Sequence, residues 1–536
     1  MRVRFKRWLF LAHRWLGVVL CLFFAMWFVS GVVMMYVGYP KLTQAERLRH
    51  LPALGDGAGL LPVREALQMA GLDGPLKELR LAAARGGRPV YLAVPEEAAR
   101  KDRRGRPVPG GGTVVIDAAS GQRLRGTDAE LALSSAEAFA GSAGQGGPMR
   151  YLGMVQEDAF THSRALDAHR PLHKVELADA DHTWLYVSDL TGEVVRDAPR
   201  TERLWNYVGA WIHWLYPLRG SVFDRWWTDI VDWLSIAGTV AAVAGTIVGV
   251  MRWRFRRPYR SGARSPYPGR MMRWHHISGL LFALVTITWI FSGLMSMNPW
   301  RIFDAGAAPL KAEVLQGVPL QPGAQDAAPA ALLAAAGGNV RELRWTPVLG
   351  TLVVQASGSA GRPRLLSSAD ARPYQVEEAH LRRAAAGLLP APVVRIGRLD
   401  AYDFHYYDRA EHTMTGGSER PLPILRVVFA DPQASWVHVD PYTGAVLSRT
   451  DTGRRASRWL FALLHSWDWL PLLQRRPLWD LLLVALSIGG TVLSLTGVVI
   501  GWRRLVLKWR AVRAARRLTP VPLPAGAARR PSSSSF

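Results

Sequence analysis

The amino-acid sequence predicts an α-helical membrane protein with four transmembrane helices, an internal duplication and two α+β domains outside the bilayer. Hydrophobic residues make up 49% of the chain and charged residues 20%, but the two kinds are segregated. Four stretches contain no Asp, Glu, Lys or Arg, and a helix of about 20 such residues crosses a hydrocarbon core about 30 Å thick. We predict these stretches to be the transmembrane helices: residues 15–37, 233–251, 277–297 and 481–502.

A repeated set of residues is the second observation that supports this fold. At an offset of 262 residues, His13, Gly17, Ser30, Gly31 and Met35 recur as His275, Gly279, Ser292, Gly293 and Met297. At an offset of 252 residues, Thr191, Gly192, His213, Ser235, Gly238, Gly245, Gly249 and Arg252 recur as Thr443, Gly444, His465, Ser487, Gly490, Gly497, Gly501 and Arg504. Four equivalently placed histidines are enough ligands for two metal centres. Copying of a hydrophobic scaffold without a metal would leave the same repeat.

The positive charge of the chain predicts its orientation. Five Lys/Arg lie in residues 1–14, eight in residues 252–273 and nine in residues 503–536, with no acidic residue in any of these segments, so they hold 22 of the net charge of +24. Short basic flanks of membrane helices stay in the cytoplasm. We therefore expect a bacterial inner-membrane protein with both termini cytoplasmic and with residues 40–220 and 300–475 in the periplasm. This distribution disfavours nucleic acid as a partner.

The N-terminal stretch and the cysteine content exclude several classes of protein. The apolar run after the basic start is longer than that of a signal peptide, and no small-x-small cleavage site follows Val37, so we expect a retained first helix. Cys21 is the only cysteine. Disulfides, iron–sulfur clusters, zinc ribbons and the attachment of c-type haem are therefore excluded.

The order of segments follows from these features. We predict an N-terminal flank and first span (1–39), a first outer domain (40–203), an interfacial helix and second span (204–254), a basic loop (255–272), a third span (273–299), a second outer domain (300–455), an interfacial helix and fourth span (456–505) and a basic tail (506–536). Each outer domain is expected to contain two small helix-plus-antiparallel-sheet units. The predicted strands are residues 79–83, 90–94, 113–116, 183–187, 340–345, 351–355, 427–429 and 436–439, and the predicted helices are 62–71, 204–216, 329–336 and 458–470.

Several short motifs resemble those of the PepSY-associated transmembrane proteins. They are His13-Arg-Trp-Leu-Gly17, Ser30-Gly31, Asp117-Ala-Ala-Ser-Gly121, Asp440-Pro-Tyr-Thr-Gly444, Arg458-Trp459, His465-Ser-Trp-Asp468, Leu495-Thr496-Gly497 and Gly501-Trp502-Arg503-Arg504. The resemblance covers about residues 8–505, and its C-terminal block is the most specific part. It implies outer domains of the PepSY type and an activity like that of the haem-containing, inner-membrane ferric-siderophore reductases of this family. Other relatives carry PepSY modules described as protease-inhibitory, so a non-enzymatic, membrane-anchored regulator that binds peptides or a protease is the alternative.

The four histidines are the candidate axial ligands of two haem b groups. A histidine in or beside a spanning helix is costly without a partner, and haem b needs only axial imidazoles and an apolar slot. Ligands at opposite faces of the bilayer cannot share one iron, so we expect His13 with His275 at an inner haem and His213 with His465 at an outer haem. Gly17 and Gly279, one turn after the inner histidines, would leave room for a flat macrocycle. Two alternatives stay open: ligation within one repeat, and His276 in place of His275.

Other candidate site residues have weaker support in the sequence. Arg14, Arg273 and Arg458 could pair with haem propionates. A cluster of acidic, histidine and tyrosine side chains could form a substrate face for a ferric siderophore or other ferric chelate: Asp400, Tyr402, Asp403, His405, Tyr406 and Tyr407. A strand with a half-buried aromatic face is the favoured explanation of this cluster.

The electron donor has no motif in the sequence. We find no P-loop, nucleotide fingerprint or nucleophile motif, so we expect an oxidoreductase that receives electrons from quinol or from a cytosolic reductase. A permease is disfavoured because four spans leave little room for a transport path and no broken midplane helix is predicted.

Overall fold

The computed structural model describes residues 2–96, 112–142, 144, 147–219, 221–304, 306–409 and 420–518. The chain divides into two compact units. The first unit comprises residues 1–28, 234–290 and 485–536, and the second unit comprises residues 29–233 and 291–484. The predicted tail beyond residue 518 lies outside the described residues.

The long apolar stretches of the sequence lie mainly in helices. Over the described ranges the α-helices are Arg2–Met34 (α1), Gln44–His50 (α2), Val63–Met69 (α3), Ala129–Gly141 (α4), Arg200–Asn206 (α5), Trp227–Arg252 (α6), Arg270–Leu281 (α7), Ala283–Ser296 (α8), Glu313–Gln316 (α9), Pro329–Ala336 (α10), Glu378–Ala385 (α11), Thr452–Ser457 (α12), Leu464–Ser466 (α13), Leu470–Leu473 (α14) and Leu478–Leu518 (α15).

The helices make this chain a multi-pass membrane protein. Within the described part of the chain, three helical segments are long and apolar enough to cross a bilayer: Arg4–Met34, Asp224–Arg252 and Leu478–Ala514. Helices α7 and α8 meet the same criterion only together, and they are bent by 68° at their junction. Helix α15 runs to Leu518, well beyond the predicted end of the fourth span at residue 502.

The bend between α7 and α8 corrects two predictions: residues 277–297 are not one continuous helix, and a broken helix is present. The Ser278 hydroxyl donates to the Trp274 carbonyl at 2.7 Å, and Gly279 follows directly. Back-bonded serine and glycine residues are common causes of sharp helix kinks. At the break, the Phe282 ring occupies the space that a side chain at Gly489 would need. The bend therefore has a local cause and a packing partner.

In the part of the second unit that the structure describes, the strands form three antiparallel sheets. In the described ranges the strands are Leu76–Arg85 (β1), Arg88–Pro95 (β2), Val114–Asp117 (β3), Arg123–Leu124 (β4), Met149–Val155 (β5), Leu172–Leu177 (β6), Trp184–Ser188 (β7), Val194–Ala198 (β8), Glu342–Val348 (β9), Thr351–Ser357 (β10), Arg364–Ser367 (β11), Val393–Leu399 (β12), Ile424–Phe429 (β13), Trp436–Val439 (β14) and Val446–Thr450 (β15). A seven-stranded sheet has the order β11-β10-β9-β1-β2-β3-β4, and two four-stranded sheets contain β5–β8 and β12–β15 in the orders β5-β6-β7-β8 and β12-β13-β14-β15.

The seven-stranded sheet corrects the prediction of two separate outer domains. Strand β1 of the first outer segment pairs with β9 of the second, with Leu81 opposite Leu343. One face of this sheet buries side chains from both segments, including Tyr91 and Trp345, whose rings are 6.1 Å apart. An edge strand has unpaired N–H and C=O groups, and here each segment supplies the edge that satisfies the other. Residues 40–203 and 300–455 therefore share this sheet, whereas each of the two four-stranded sheets lies within one segment.

Tight turns occupy two of the motifs named above, Asp117–Gly121 and Asp440–Gly444. Gly121 and Gly444 have φ values of +70° and +73°, in the left-handed region that glycine adopts without strain. The Gly444 N–H donates to the Asp440 carbonyl at 2.9 Å, closing the turn between β14 and β15. Helix α10 and strand β14 have the predicted bounds. The turn glycines, helix α10 and strand β14 thus follow from local sequence patterns.

Candidate functional site

The first histidine pair, His13 and His275, lies in the first unit. His13 is on α1 and His275 is on α7, and their ring centres are 6.3 Å apart with the planes inclined by 31°. The two side chains that the sequence pairs are thus neighbours, although they come from opposite halves of the chain.

Each ring of the first pair has a backbone partner at Nδ1. His13 Nδ1 is 3.1 Å from the Ala241 carbonyl, and His275 Nδ1 is 3.2 Å from the Leu493 carbonyl. Because a carbonyl only accepts, Nδ1 carries the proton and Nε2 carries the lone pair. Metal-bound histidines are commonly held in this way by a carbonyl on the second nitrogen. Ala241 and Leu493 are related by the second offset of the sequence repeat, so the contact recurs with the repeated residues.

Small residues keep the space around these rings open. A Cβ atom on Gly245 would lie 2.5 Å from His13 Cε1, and one on Gly497 would lie 3.3 Å from His275 Cε1. A cavity of about 380 Å³ borders both histidines, and Gly17 and Gly279 line it as the sequence predicts. This volume is in the range of small-molecule and cofactor sites.

Three arginines line the same cavity. Arg14 is among them, as predicted, whereas Arg273 is exposed and outside the lining. Arg252 and Arg504 also line it and were not singled out as site residues. These two arginines are equivalent positions of the sequence repeat, so the signal was present in the sequence.

His276 has a different environment from His275. Its Nδ1 is 2.8 Å from the Ser265 hydroxyl and its Nε2 is 2.9 Å from the Gly249 carbonyl. Both ring nitrogens are therefore occupied by protein partners and the ring is buried. Of the two candidates, His275 is the one placed opposite His13.

The second histidine pair, His213 and His465, lies in the second unit. The ring centres are again 6.3 Å apart, but the planes are nearly perpendicular, at 76°. Nδ1 of His213 is 2.9 Å from the Ser30 hydroxyl, and Nδ1 of His465 is 3.0 Å from the Ser292 hydroxyl. Both serines belong to the sequence repeat, yet we did not single them out as site residues.

The backbone that positions the second histidine pair is irregular. The predicted helices 204–216 and 458–470 are not continuous, because π-helical turns occupy Tyr207–Trp211 and Arg458–Leu463 and each helix ends soon after its histidine. Leu215 and Trp467, two residues past His213 and His465, have φ values of +52° and +49°. Left-handed conformations are costly for large side chains and cluster at functional sites. π-helical turns are also frequent at such sites.

Tryptophans secure the ends of these two helices. The indole N–H of Trp227 donates to the Trp214 carbonyl at 2.8 Å, and that of Trp479 donates to the Ser466 carbonyl at 3.0 Å. The two donors are related by the offset that relates His213 to His465, and so are the two acceptors. Each bond holds the residue directly after a histidine of the second pair, so the two rings are positioned by equivalent contacts.

The spacing of both pairs suits an iron between two imidazoles. A bond from a metal to an imidazole nitrogen is about 2 Å long and the ring centre lies about 1 Å beyond the nitrogen, so two imidazoles on one metal have centres about 6 Å apart. The observed 6.3 Å agrees at both pairs. Haem iron takes this type of axial ligand, and the residues present fit it. Across the described residues there is no group of three or more His, Cys, Asp or Glu side chains that could hold a metal ion.

Arg458 does not have the position expected for a propionate partner. Its guanidinium is buried, donates to the Tyr407 hydroxyl at 2.6 Å and pairs with Asp468 at 3.2 Å. It also donates to the Phe404 carbonyl. The guanidinium of Arg458 thus already has a carboxylate and three neutral acceptors within the protein, which include the Asp468 carbonyl, and this corrects the prediction.

The predicted substrate face is only partly at the surface. Tyr406 and Tyr407 are 0% and 3% exposed, and their hydroxyls bond to the Pro421 carbonyl and to Asp468. Neither ring can contact a docked chelate, so these two predictions are wrong. These two aromatic residues pack in the protein interior, as the alternative of a half-buried aromatic face predicts. Asp400, Tyr402 and His405 retain exposed area.

Asp403 belongs to a polar network that is buried at Arg426 and His438. Its carboxylate receives two hydrogen bonds from Arg426, at 2.6 and 3.1 Å, and Arg426 Nε donates to His438 Nε2 at 2.9 Å. Burial, together with the charge of Arg426, lowers the pKa of His438 to about 3. His438 is therefore neutral and accepts at Nε2, while its Nδ1–H donates to Ser448 at 2.8 Å. This network stabilises the sheet of β12–β15.

The fold and the comparisons agree on the class of protein. Apolar spanning helices together with α+β sheets define a multi-pass membrane protein with PepSY-like domains. The family model described as PepSY-associated TM region matches residues 10–416, and the chain belongs to this family. The match ends before the C-terminal block of residues 458–504, which we expected to be the most specific part. No curated protein matches the chain.

Proposed function

We propose that this protein is a di-haem b oxidoreductase of the bacterial inner membrane that passes electrons outward to a periplasmic ferric siderophore or other ferric chelate. The observation that carries the proposal is the equal 6.3 Å spacing of two histidine pairs, each with both Nδ1 atoms on an oxygen partner. An aromatic belt, in which ring nitrogens face the headgroups, does not account for two pairs with ligand-like spacing.

The chain's own side chains would bind and orient the cofactor. At the first pair, His13 and His275 would present Nε2, and Gly17 and Gly279 would leave space for the ring system. Arg14, Arg252 and Arg504 would neutralise carboxylates of a ligand in the cavity. At the second pair, His213 and His465 would be oriented by the serine hydroxyls. Bound haem would supply one-electron oxidation and reduction at each pair.

Architecture and orientation are part of the proposal. We take the bent pair of α7 and α8 as one span, which makes four spans in all, and the two sets of repeated residues as an internal duplication. Contacts that recur at the same offsets support the duplication, as with Ala241 and Leu493. The basic flanks support cytoplasmic termini and periplasmic sheets.

The ferric substrate rests on the family resemblance. A siderophore holds hard Fe³⁺ through oxygen ligands, and one electron converts it to softer Fe²⁺, which these ligands hold less tightly. Each ferric ion would take one electron, so a quinol, which gives two electrons and two protons, would serve two ferric ions. A cytosolic reductase is the other candidate donor.

A visible spectrum of the purified full-length protein tests the proposal. We expect two haem b per chain with sharp reduced bands, about one after His13→Ala or His275→Ala, and about one after His213→Ala or His465→Ala. Combining two changes within a pair should remove no further haem, whereas combining one from each pair should remove both. His276→Ala is the control and should keep two.

Two outcomes would contradict the proposal. A colourless, folded protein from cells supplied with porphyrin precursor would leave the membrane-anchored, peptide-binding regulator as the better function. Loss of the same haem on changing His13 and His213, but not His275, would contradict the pairing. Reduction of a ferric siderophore by the reduced, haem-loaded protein, followed through Fe²⁺ capture by a ferrous chelator, tests the substrate separately.

A further inference from the structure

A cationic cleft in the first unit has no role in the proposed electron transfer. The cleft has a volume of about 1040 Å³ and is lined by Arg270, Arg503, Arg504 and Lys508 together with apolar side chains that include Trp15 and Leu507. It shares Arg504 with the cavity beside the first histidine pair. Arg270, Arg503 and Lys508 line the cleft but not that cavity, so the inference depends on these three residues.

The charges of the cleft have no counter-charge in the described part of the protein. Among the residues that line the cleft there, none is acidic. The side chains of Arg270, Arg503 and Lys508 form no ion pair or hydrogen bond with any residue that the structure describes, and Lys508 lies 4.5 Å above the Trp15 ring as a cation–π contact. Like charges that converge on one partly apolar surface repel each other and attract an anion. The cleft is thus built for a negatively charged ligand with an apolar part.

The position of the cleft in the sequence identifies the kind of ligand. Trp15 begins the charge-free stretch of α1, Arg270 begins α7 shortly before its charge-free stretch, and Arg503 directly follows that of α15. All three therefore mark the boundary between hydrocarbon and water. Lipid phosphates lie at this depth, and basic pockets between spanning helices bind anionic lipid head groups. Trp and long cationic side chains are typical of the same boundary.

We propose that this cleft binds one anionic phospholipid. Arg270, Arg503 and Lys508 receive the phosphate and the negative head group, and Trp15 and Leu507 contact the acyl chains. The inference goes beyond the proposed function and does not depend on haem, since none of the three cations borders either histidine pair.

Native mass spectrometry of the full-length protein with defined lipids tests the site. The test variant carries Arg270→Gln, Arg503→Gln and Lys508→Gln. The control carries Arg256→Gln, Arg257→Gln and Arg260→Gln, which remove the same charge from exposed positions of the basic loop. We expect wild type and control to retain one phosphatidylglycerol in preference to phosphatidylcholine, and the test variant to bind it about a hundredfold more weakly. Lys508→Gln alone should give an intermediate loss.

Other results would overturn the proposal. Equal retention of phosphatidylglycerol by test variant and control would show that the cleft is not the site, and equal retention of both lipids would show that charge does not select the ligand. Displacement of the lipid by millimolar inorganic phosphate would indicate a free-anion site. Absence of bound lipid, with binding of an acidic peptide by wild type but not by the test variant, would indicate a protein-docking surface. Unchanged elution in gel filtration establishes that the variant is folded.

Discussion

The Ser30 hydroxyl lies 2.9 Å from Nδ1 of His213, and the repeat reproduces this contact between Ser292 and His465 at 3.0 Å. At the first pair, the carbonyl oxygens of Ala241 and Leu493 take this role, and the Thr496 hydroxyl also lies 3.2 Å from His275 Nδ1. A carbonyl can only accept from Nδ1–H, whereas a hydroxyl can also donate. The two histidine pairs thus have the same spacing, and each histidine has a backbone carbonyl partner at Nδ1 in the first pair and a serine hydroxyl partner in the second.

Removal of the serine hydroxyl should weaken the second pair alone. Ser30→Ala deletes the Nδ1 partner of His213 and leaves its imidazole, and we expect haem affinity at this pair to fall roughly 10- to 100-fold. Ser292→Ala should act in the same way through His465. Titration of haem into the apo-protein, followed by absorbance, measures the two affinities.

Thr288→Ala is the matched control for the serine variants. Its hydroxyl donates at 2.9 Å to the Leu284 carbonyl of its own helix, and this hydrogen bond is exposed. Haem binding should be unchanged. A Ser30→Ala protein that binds two haems as tightly as this control would show that the hydroxyl does not position His213.

The angle between the two imidazole planes of each pair should affect the electron paramagnetic resonance spectrum. Imidazole planes at 31° overlap largely the same iron d orbital, whereas planes at 76° overlap two orbitals almost equally. We expect two low-spin ferric signals from the oxidised protein, with the larger maximal g value for the second pair. His213→Ala should remove this signal and His13→Ala the other. Two identical signals would contradict the observed planes.

A side chain at Gly245 should disturb the first pair. Its Cβ would lie 2.5 Å from His13 Cε1, so Gly245→Ala must shift the ring or the helix. Overpacking of this kind costs about 1–3 kcal/mol. We expect reduced haem content at the first pair and an unchanged second pair, read from the two spectroscopic signals. Gly141→Ala, where a Cβ would meet no described atom within 4 Å, should leave both signals intact.

Acid should destabilise the second unit through Glu193. This buried carboxylate pairs with Arg80 at 2.6 Å and Arg47 at 3.7 Å. Burial alone would raise the pKa of Glu193, but the charges of Arg80 and Arg47 outweigh it and lower the pKa to about 2. Because the pKa in the folded state is below the unfolded value of about 4.3, ionised Glu193 stabilises the fold at neutral pH. That contribution declines as the pH falls from about 4 towards 2.

Glu193→Gln tests this ion pair. It removes one of the two buried carboxylates that pair with Arg80 and Arg47, so that Glu342 alone remains as their counter-charge, and should cost about 3 kcal/mol at pH 7. The difference from wild type should shrink as the pH is lowered, which thermal unfolding by tryptophan fluorescence can follow. Glu176→Gln, at the surface pair with Arg150, should cost about 1 kcal/mol or less. An equal effect of both variants would contradict the role of Glu193.

Part of the fold could be predicted because its causes are local. Tight turns at Gly121 and Gly444, and helix α10 after Pro329, depend on a few adjacent residues. Among the described strands, the prediction omits β4, β5, β6, β8, β11, β12 and β15. The apolar residues of β5 and β12 do not alternate clearly, and pairing with β6 and β13 supplies their stability. β-Structure depends on cross-strand contacts more than on intrinsic preference.

The candidate site was predictable to a similar extent. The repeat paired His13 with His275 and His213 with His465, and these are the rings that lie close together. It also contained Ser30, but residue type alone did not distinguish a helix-packing serine from a histidine partner. Burial of Tyr406 and Tyr407 could not be read from an aromatic pattern that a surface strand shares with a core strand.

The sequence by itself determined the apolar stretches and the basic flanks, because hydropathy and charge are sums over neighbouring residues. It also determined which histidines are equivalent, because the repeat is visible when the two halves of the sequence are compared. Only the tertiary structure decided which oxygen faces each Nδ1, how β1 joins β9, and that Arg458 pairs with Asp468. Apart from Arg458 and Asp468, which are ten residues apart, these contacts join segments far apart in the chain, and their free energy exists only when both partners are brought together. Local sequence patterns therefore do not predict these contacts.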